Sequence, residues 1–172
     1  MATLSECARM NSAREARFRI DPPNSAPRVA KVIALDEKSA RAFPPLARAT
    51  SARALFFKAP LRGVPLSAEE EGARDDLLLL ASDGSPARLS DELRSADLVV
   101  MVAAAGERAE AAAIIGRACF ARAIMTTGVI LAQPEREAEA AVTLNDLRPY
   151  AAMLVVTSDE EYLADMLAAL RA

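Results

Sequence analysis

Asp97-Leu98-Val99-Val100-Met101-Val102-Ala103 is the stretch on which the fold turns, because it carries the strongest strand pattern in the chain. It runs through Ala104-Ala105-Gly106-Glu107 into Arg108–Arg122, an alanine-rich segment with Ala111, Ile114, Ile115, Ala118 and Cys119 at helical spacing on one face. A strand handing over to an amphipathic helix is the repeating unit of an α/β protein.

The same unit recurs on both sides. Val29–Leu35, Arg53–Phe57, Asp76–Ala81, Ile124–Ala132 and Ala151–Thr157 read as further strands, each separated from the next by turn or helix-forming sequence. Such an order requires right-handed crossovers, and the expected architecture is a three-layer α/β sandwich with a mostly parallel, doubly wound, Rossmann-like sheet of about six strands. Leu77-Leu78-Leu79-Leu80 is continuously apolar, which predicts a central strand covered on both faces. Asp36 or Ser39, Ser90 and Thr143 are placed to cap helices, and Pro44-Pro45 divides the helix that follows the first strand. Ser158 and Glu161 form a capping box ahead of the apolar stripe Tyr162, Leu163, Met166, Leu167 and Leu170.

Residues 1–27 are polar, of mixed charge, and end in Asp21-Pro22-Pro23-Asn24-Ser25; they read as a flexible extension preceding a single domain over 28–172. The 172 residues, 52% apolar, suffice for one such core. A net charge of −3, with basic and acidic side chains interleaved, offers no field for a polyanion, so nucleic-acid binding is not expected. All but three of the 21 basic residues are arginine, and alanine is abundant, a composition that fits a GC-rich bacterial coding bias. No apolar run approaches the roughly 18 residues that cross a bilayer, and Met1–Met10 lacks a secretion-signal core. Cys7 and Cys119 read as reduced thiols, and a soluble cytoplasmic protein is the expectation.

Ligands of open parallel sheets bind beyond the carboxyl ends of the strands. Those ends present Asp36, Glu37 and Ser39; Asp83; Gly106 and Glu107; and Ser158. Asp36 and Asp83 could supply hard oxygen ligands to Mg²⁺, or serve with Glu37 as solvated turn residues and caps. The turn after the first strand, Ala34-Leu35-Asp36-Glu37-Lys38-Ser39, lacks the glycines of dinucleotide and Walker loops and carries an acidic pair that repels phosphate. With no histidine in the chain, a Ser-His-Asp or Cys-His relay is excluded. Cys119 falls on the core face of its helix, a position for a buried thiol, not a nucleophile.

Ser95-Ala96-Asp97 through Glu107, continuing over Ala111–Ile115 to Gly128-Val129-Ile130-Leu131, resembles the nucleotide-binding half of the tubulin and bacterial cell-division GTPase superfamily. There an Ala-Asp-led strand enters a glycine-rich phosphate loop and an alanine-rich helix. Here that loop holds a single glycine, Gly106, beside Glu107, so the resemblance implies the fold without the GTP-binding residues. The Asp36-Glu37 pair, Asp83 and Gln133-Pro134 also resemble elements of response-regulator receiver domains, although Ala103-Ala104 and the missing lysine depart from that pattern.

Two functions follow as expectations. One is a non-catalytic regulatory or interaction module on a nucleotide-binding-type fold that has lost its phosphate loop, self-associating as a homodimer through its C-terminal helix or the Leu61–Leu66 loop, or binding a protein partner. The other is a Mg²⁺-dependent nucleotide or small-molecule binding protein or enzyme using the acidic turns, with Asp36 and Asp83 as metal ligands and backbone amides near Gly106 and Ser158 holding an anion.

Overall fold

A computed structural model describes residues 27–50, 53–60, 76–133, 139–158 and 160–170. The expected N-terminal extension, Cys7, the Leu61–Leu66 loop and the capping-box side chain of Glu161 lie outside the described residues. Seven strands form one mixed, mostly parallel sheet: β1 (Ala30–Ala34), β2 (Ala54–Lys58), β3 (Leu78–Ala81), β4 (Pro86–Arg88), β5 (Leu98–Ala104), β6 (Met125–Leu131) and β7 (Met153–Thr157), in the order β4-β3-β2-β1-β5-β6-β7. The helices are α1 (Glu37–Ala40), α2 (Phe43–Ala49), α3 (Leu89–Glu92), α4 (Ala111–Phe120), α5 (Ala140–Leu147) and α6 (Glu160–Ala169).

β1 lies at the centre. Its Val32 sits opposite Phe56 of β2 and Val100 of β5, both parallel pairings. Successive residues point to opposite faces, and they feed two separate cores. Ala30, Val32 and Ala34 join Leu46 of α2 and Leu163, Met166 and Leu167 of α6; Ile33 and Leu35 join Leu89 of α3, Ile115 of α4 and Leu147 of α5. Each fully buried leucine in these cores contributes about 2 kcal/mol. Phe43 meets Phe56 edge to face at 5.1 Å between centroids, fixing α2 against the sheet.

The β3 region departs from expectation. β3 is antiparallel to β2 and takes up a near-edge position, with Leu77 and Leu79 buried while Leu78 and Leu80 are more than 40% exposed. A run of leucines satisfies either a doubly covered strand or a one-sided one, so continuity alone misplaced it at the centre. Pro86–Arg88, for which no strand was expected, turns back as a seventh strand, three residues long and antiparallel to β3.

Two expected caps are also replaced by longer-range contacts. The Ser90 amide and hydroxyl donate to the Asp76 carboxylate at 2.9 and 2.8 Å, so Asp76, fourteen residues upstream, caps α3. Thr143 lies inside α5, buried, with its hydroxyl 2.7 Å from the Glu107 carbonyl and 3.2 Å from that of Ala104. Among the described residues no helix is long and apolar enough to cross a membrane.

Candidate functional site

Strand order reverses between β1 and β5: the chain leaves β1 toward β2 and leaves β5 toward β6 and β7. The carboxyl ends of these two strands are where such a sheet opens a crevice. Asp36 stands there, in extended conformation at the N-cap of α1, 4% exposed.

Its carboxylate is committed to the protein's own backbone. Oδ1 accepts the Ser39 amide at 2.8 Å, and Oδ2 accepts the Ala104 amide at 2.8 Å across the switch point. The buried Ser39 hydroxyl, with one proton to give, sits 3.0 Å from Asp36 Oδ2 and 3.1 Å from the Val102 carbonyl. Asp36 and Ser39 thus form a clasp joining the turn after β1 to the end of β5.

The loop after β5 is equally occupied. The Ala105 amide donates to the Leu131 carbonyl at 2.9 Å, and the Glu107 amide to the Ala104 carbonyl at 3.1 Å. Thr143 holds this turn from α5, and Asp146 accepts the Ala109 amide at 3.0 Å while meeting Arg108 at 3.2 Å. Gly106 adopts a φ of +85°, a left-handed conformation that favours glycine, and a Cβ there would come within 2.8 Å of Glu139 Oε2. Glu107 forms an ion pair with Lys38 over the mouth of the crevice.

A cleft of about 230 Å³ remains beside this clasp, lined by Lys38, Ala104, Ala105, Leu131, Gln133 and Ser158. Its lining brings together the ends of β5, β6 and β7, with the Lys38 cation already neutralised by Glu107. Of the residues singled out from sequence, Asp36 and Ser39 form the clasp, Gly106 and Glu107 form the loop at its rim, and Ser158 lines the cleft. Glu37 turns outward to Lys58 of β2, whose hydrogen bond and positive charge hold the Glu37 carboxyl below its ordinary range.

Asp83 is elsewhere. Because β3 runs antiparallel to β2, with Ala81 opposite Phe57 and Leu80 opposite Lys58, the turn that follows β3 heads toward the amino end of β2. There Asp83 accepts the Ser85 hydroxyl at 2.6 Å and the Ser85 amide at 2.9 Å, contacts that lower its pKa. The Asp83 carboxylate is thus engaged within its own turn while that of Asp36 is engaged at the clasp, and no group of three or more acidic, histidine or cysteine side chains able to hold a metal occurs among the described residues.

The structure gives Thr143 a role other than the expected cap, and makes prominent two groups the sequence reading missed, Asp146 and Lys31. Thr143 and Asp146 tie down the loop after β5, and neither has a local signal, since their partners lie more than 30 residues away. Lys31, 2% exposed within β1, reaches Glu92 at 2.6 Å and lies 5.7 Å from the Phe57 ring centroid. A lysine in the middle of an apolar strand was the available signal for that pair.

What the fold and crevice define is an α/β protein with a mostly parallel mixed sheet, in which the Ser39 and Ala104 amides at the switch point are held by the Asp36 side chain. Compared with known proteins, the chain matches no family model, no curated relative and no solved structure.

Proposed function

We propose that this protein is a non-catalytic interaction module, self-associating or binding a protein partner, built on a three-layer, doubly wound α/β sandwich of nucleotide-binding type. The two separate cores on the faces of the sheet support that layering. One observation carries the reading: the Asp36 carboxylate takes the Ser39 and Ala104 amides at the switch point. These are amides of the kind that grip a phosphate in nucleotide-binding relatives of the fold, and here a resident anion already holds them.

Thermal unfolding with millimolar GTP, ATP or NAD, each with and without Mg²⁺, tests this. A ligand at about 100 times its dissociation constant stabilises the folded state by about 2.7 kcal/mol, so binding would be visible. The module reading requires no shift with any of them. A shift that depends on Mg²⁺ and disappears in Asp36→Ala would instead establish the alternative, a Mg²⁺-dependent nucleotide or small-molecule site on the acidic turns.

A further inference from the structure

The two edges of the sheet differ in kind. β4 is three residues long and carries Pro86 and Arg88, devices that discourage another strand from adding to an edge. β7 carries none of them. No charged residue occurs from Pro149 to Ser158, and Met153 and Val156 are about 40% exposed. Among the described residues β7 pairs only with β6.

The backbone of β7 also has a definite outward pattern. The Ala132 amide donates to the Thr157 carbonyl at 2.8 Å, which turns the polar groups of Thr157, and by alternation those of Val155 and Met153, toward β6. The N–H and C=O groups of Leu154 and Val156 therefore face away from the sheet. An antiparallel partner satisfies them best when residues with outward groups lie opposite each other.

We infer that two copies of this chain pair through β7, antiparallel, about a two-fold axis at Val155. This axis sets Leu154 of each copy opposite Val156 of the other, giving two hydrogen-bonded pairs and four N–H···O=C bonds. It sets Met153 opposite Thr157, and Val155 opposite itself, so every cross-strand pair is apolar or threonine and no like charges meet. An isologous contact of this kind needs only one surface, matched to itself. The inference rests on the reading of the protein as a self-associating module and assigns that association to the β7 edge.

Sedimentation equilibrium of the full chain, paired with hydrogen exchange, provides the test. The wild type should be dimeric, with the Leu154 and Val156 amides gaining protection as concentration rises. Val155→Lys and Val155→Glu each place like charges face to face and should weaken association by about 100-fold, while an equimolar mixture of the two should restore it. Val142→Lys, at an exposed position on α5, should leave association unchanged. Dimers in both single variants, or failure of the mixture to restore them, would overturn the β7 pairing. If circular dichroism shows either variant unfolded, the wild-type exchange decides. Unchanged exchange at Leu154 and Val156 while the mass doubles sinks the edge but leaves the module standing, and a monomer at about 1 mM sinks both the edge and self-association. Nucleotide binding would overturn the module reading irrespective of these results.

Discussion

Asp36 Oδ2 accepts the backbone amide of Ala104 at 2.8 Å, across 68 residues of sequence, at the point where strand order reverses. One buried carboxylate thereby links the turn after β1 to the end of β5 and satisfies two backbone donors at the switch point. Asp36→Ala should destabilise the protein by about 3 kcal/mol, because it leaves the Ser39 and Ala104 amides without their partner. Urea unfolding followed by circular dichroism measures it; a loss within experimental error would remove the clasp from the structural account.

Lys31 and Glu92 should respond unequally. Removing the carboxylate leaves an ammonium group 2% exposed without a counter-charge, so Glu92→Ala should cost about 3 kcal/mol. Lys31→Met removes the buried charge and keeps most of the volume, and should stay within about 1 kcal/mol of wild type. Equal losses in denaturant unfolding would contradict this, since the asymmetry comes from which charge is left buried.

Gly116 of α4 packs so closely on Tyr150 that a Cβ would lie 2.4 Å from the tyrosine Cβ, an atom anchored to the backbone. Gly116→Ala should therefore force α4 away from the chain entering β7, at about 2 kcal/mol. Gly128→Ala meets the end of the Leu154 side chain at 2.5 Å, which can rotate aside, and should cost less. Thermal unfolding of the two variants ranks them.

Thr127 is fully buried on β6, and its hydroxyl has no hydrogen-bond partner among the described residues. Thr127→Val keeps the shape, removes the unsatisfied polar atom, and should raise stability by about 1 kcal/mol. A destabilised Val variant in a urea titration would show that the hydroxyl has an unseen partner.

Burial pushes the Cys119 thiol from about 9 up to about 11. The folded state then holds its proton where the unfolded state has lost it, so stability should fall as pH rises from about 9 to about 11. The same burial predicts slow reaction with a thiol reagent at neutral pH in the folded protein and rapid reaction in urea. Cys119→Ala should flatten the alkaline part of the stability profile.

Much of the fold was legible because it is written locally. The apolar runs that became β1, β5, β6 and β7 stand out over five to seven residues, and Ile115, Leu163 and Leu167 recur at helical spacing. β3 was misplaced because four consecutive leucines show no alternation; only pairing with β2 and β4 reveals that Leu78 and Leu80 face outward. The candidate site was legible in part. Asp36 was visible as an acidic turn residue, but its bond to Ala104 and the hold of Thr143 on the Glu107 carbonyl join distant parts of the chain.

From the sequence by itself came the alternation of strand and helix, the missing glycines at the first turn and the lack of histidine, since each depends only on residue type and near neighbours. Tertiary structure alone decided the order of the strands and the antiparallel course of β3 and β4. It also decided that the switch-point amides are held by a side chain of the same protein. Those outcomes depend on which distant segments meet, because a carboxylate becomes a ligand, a cap or a clasp according to the donors that folding brings within about 3 Å of it.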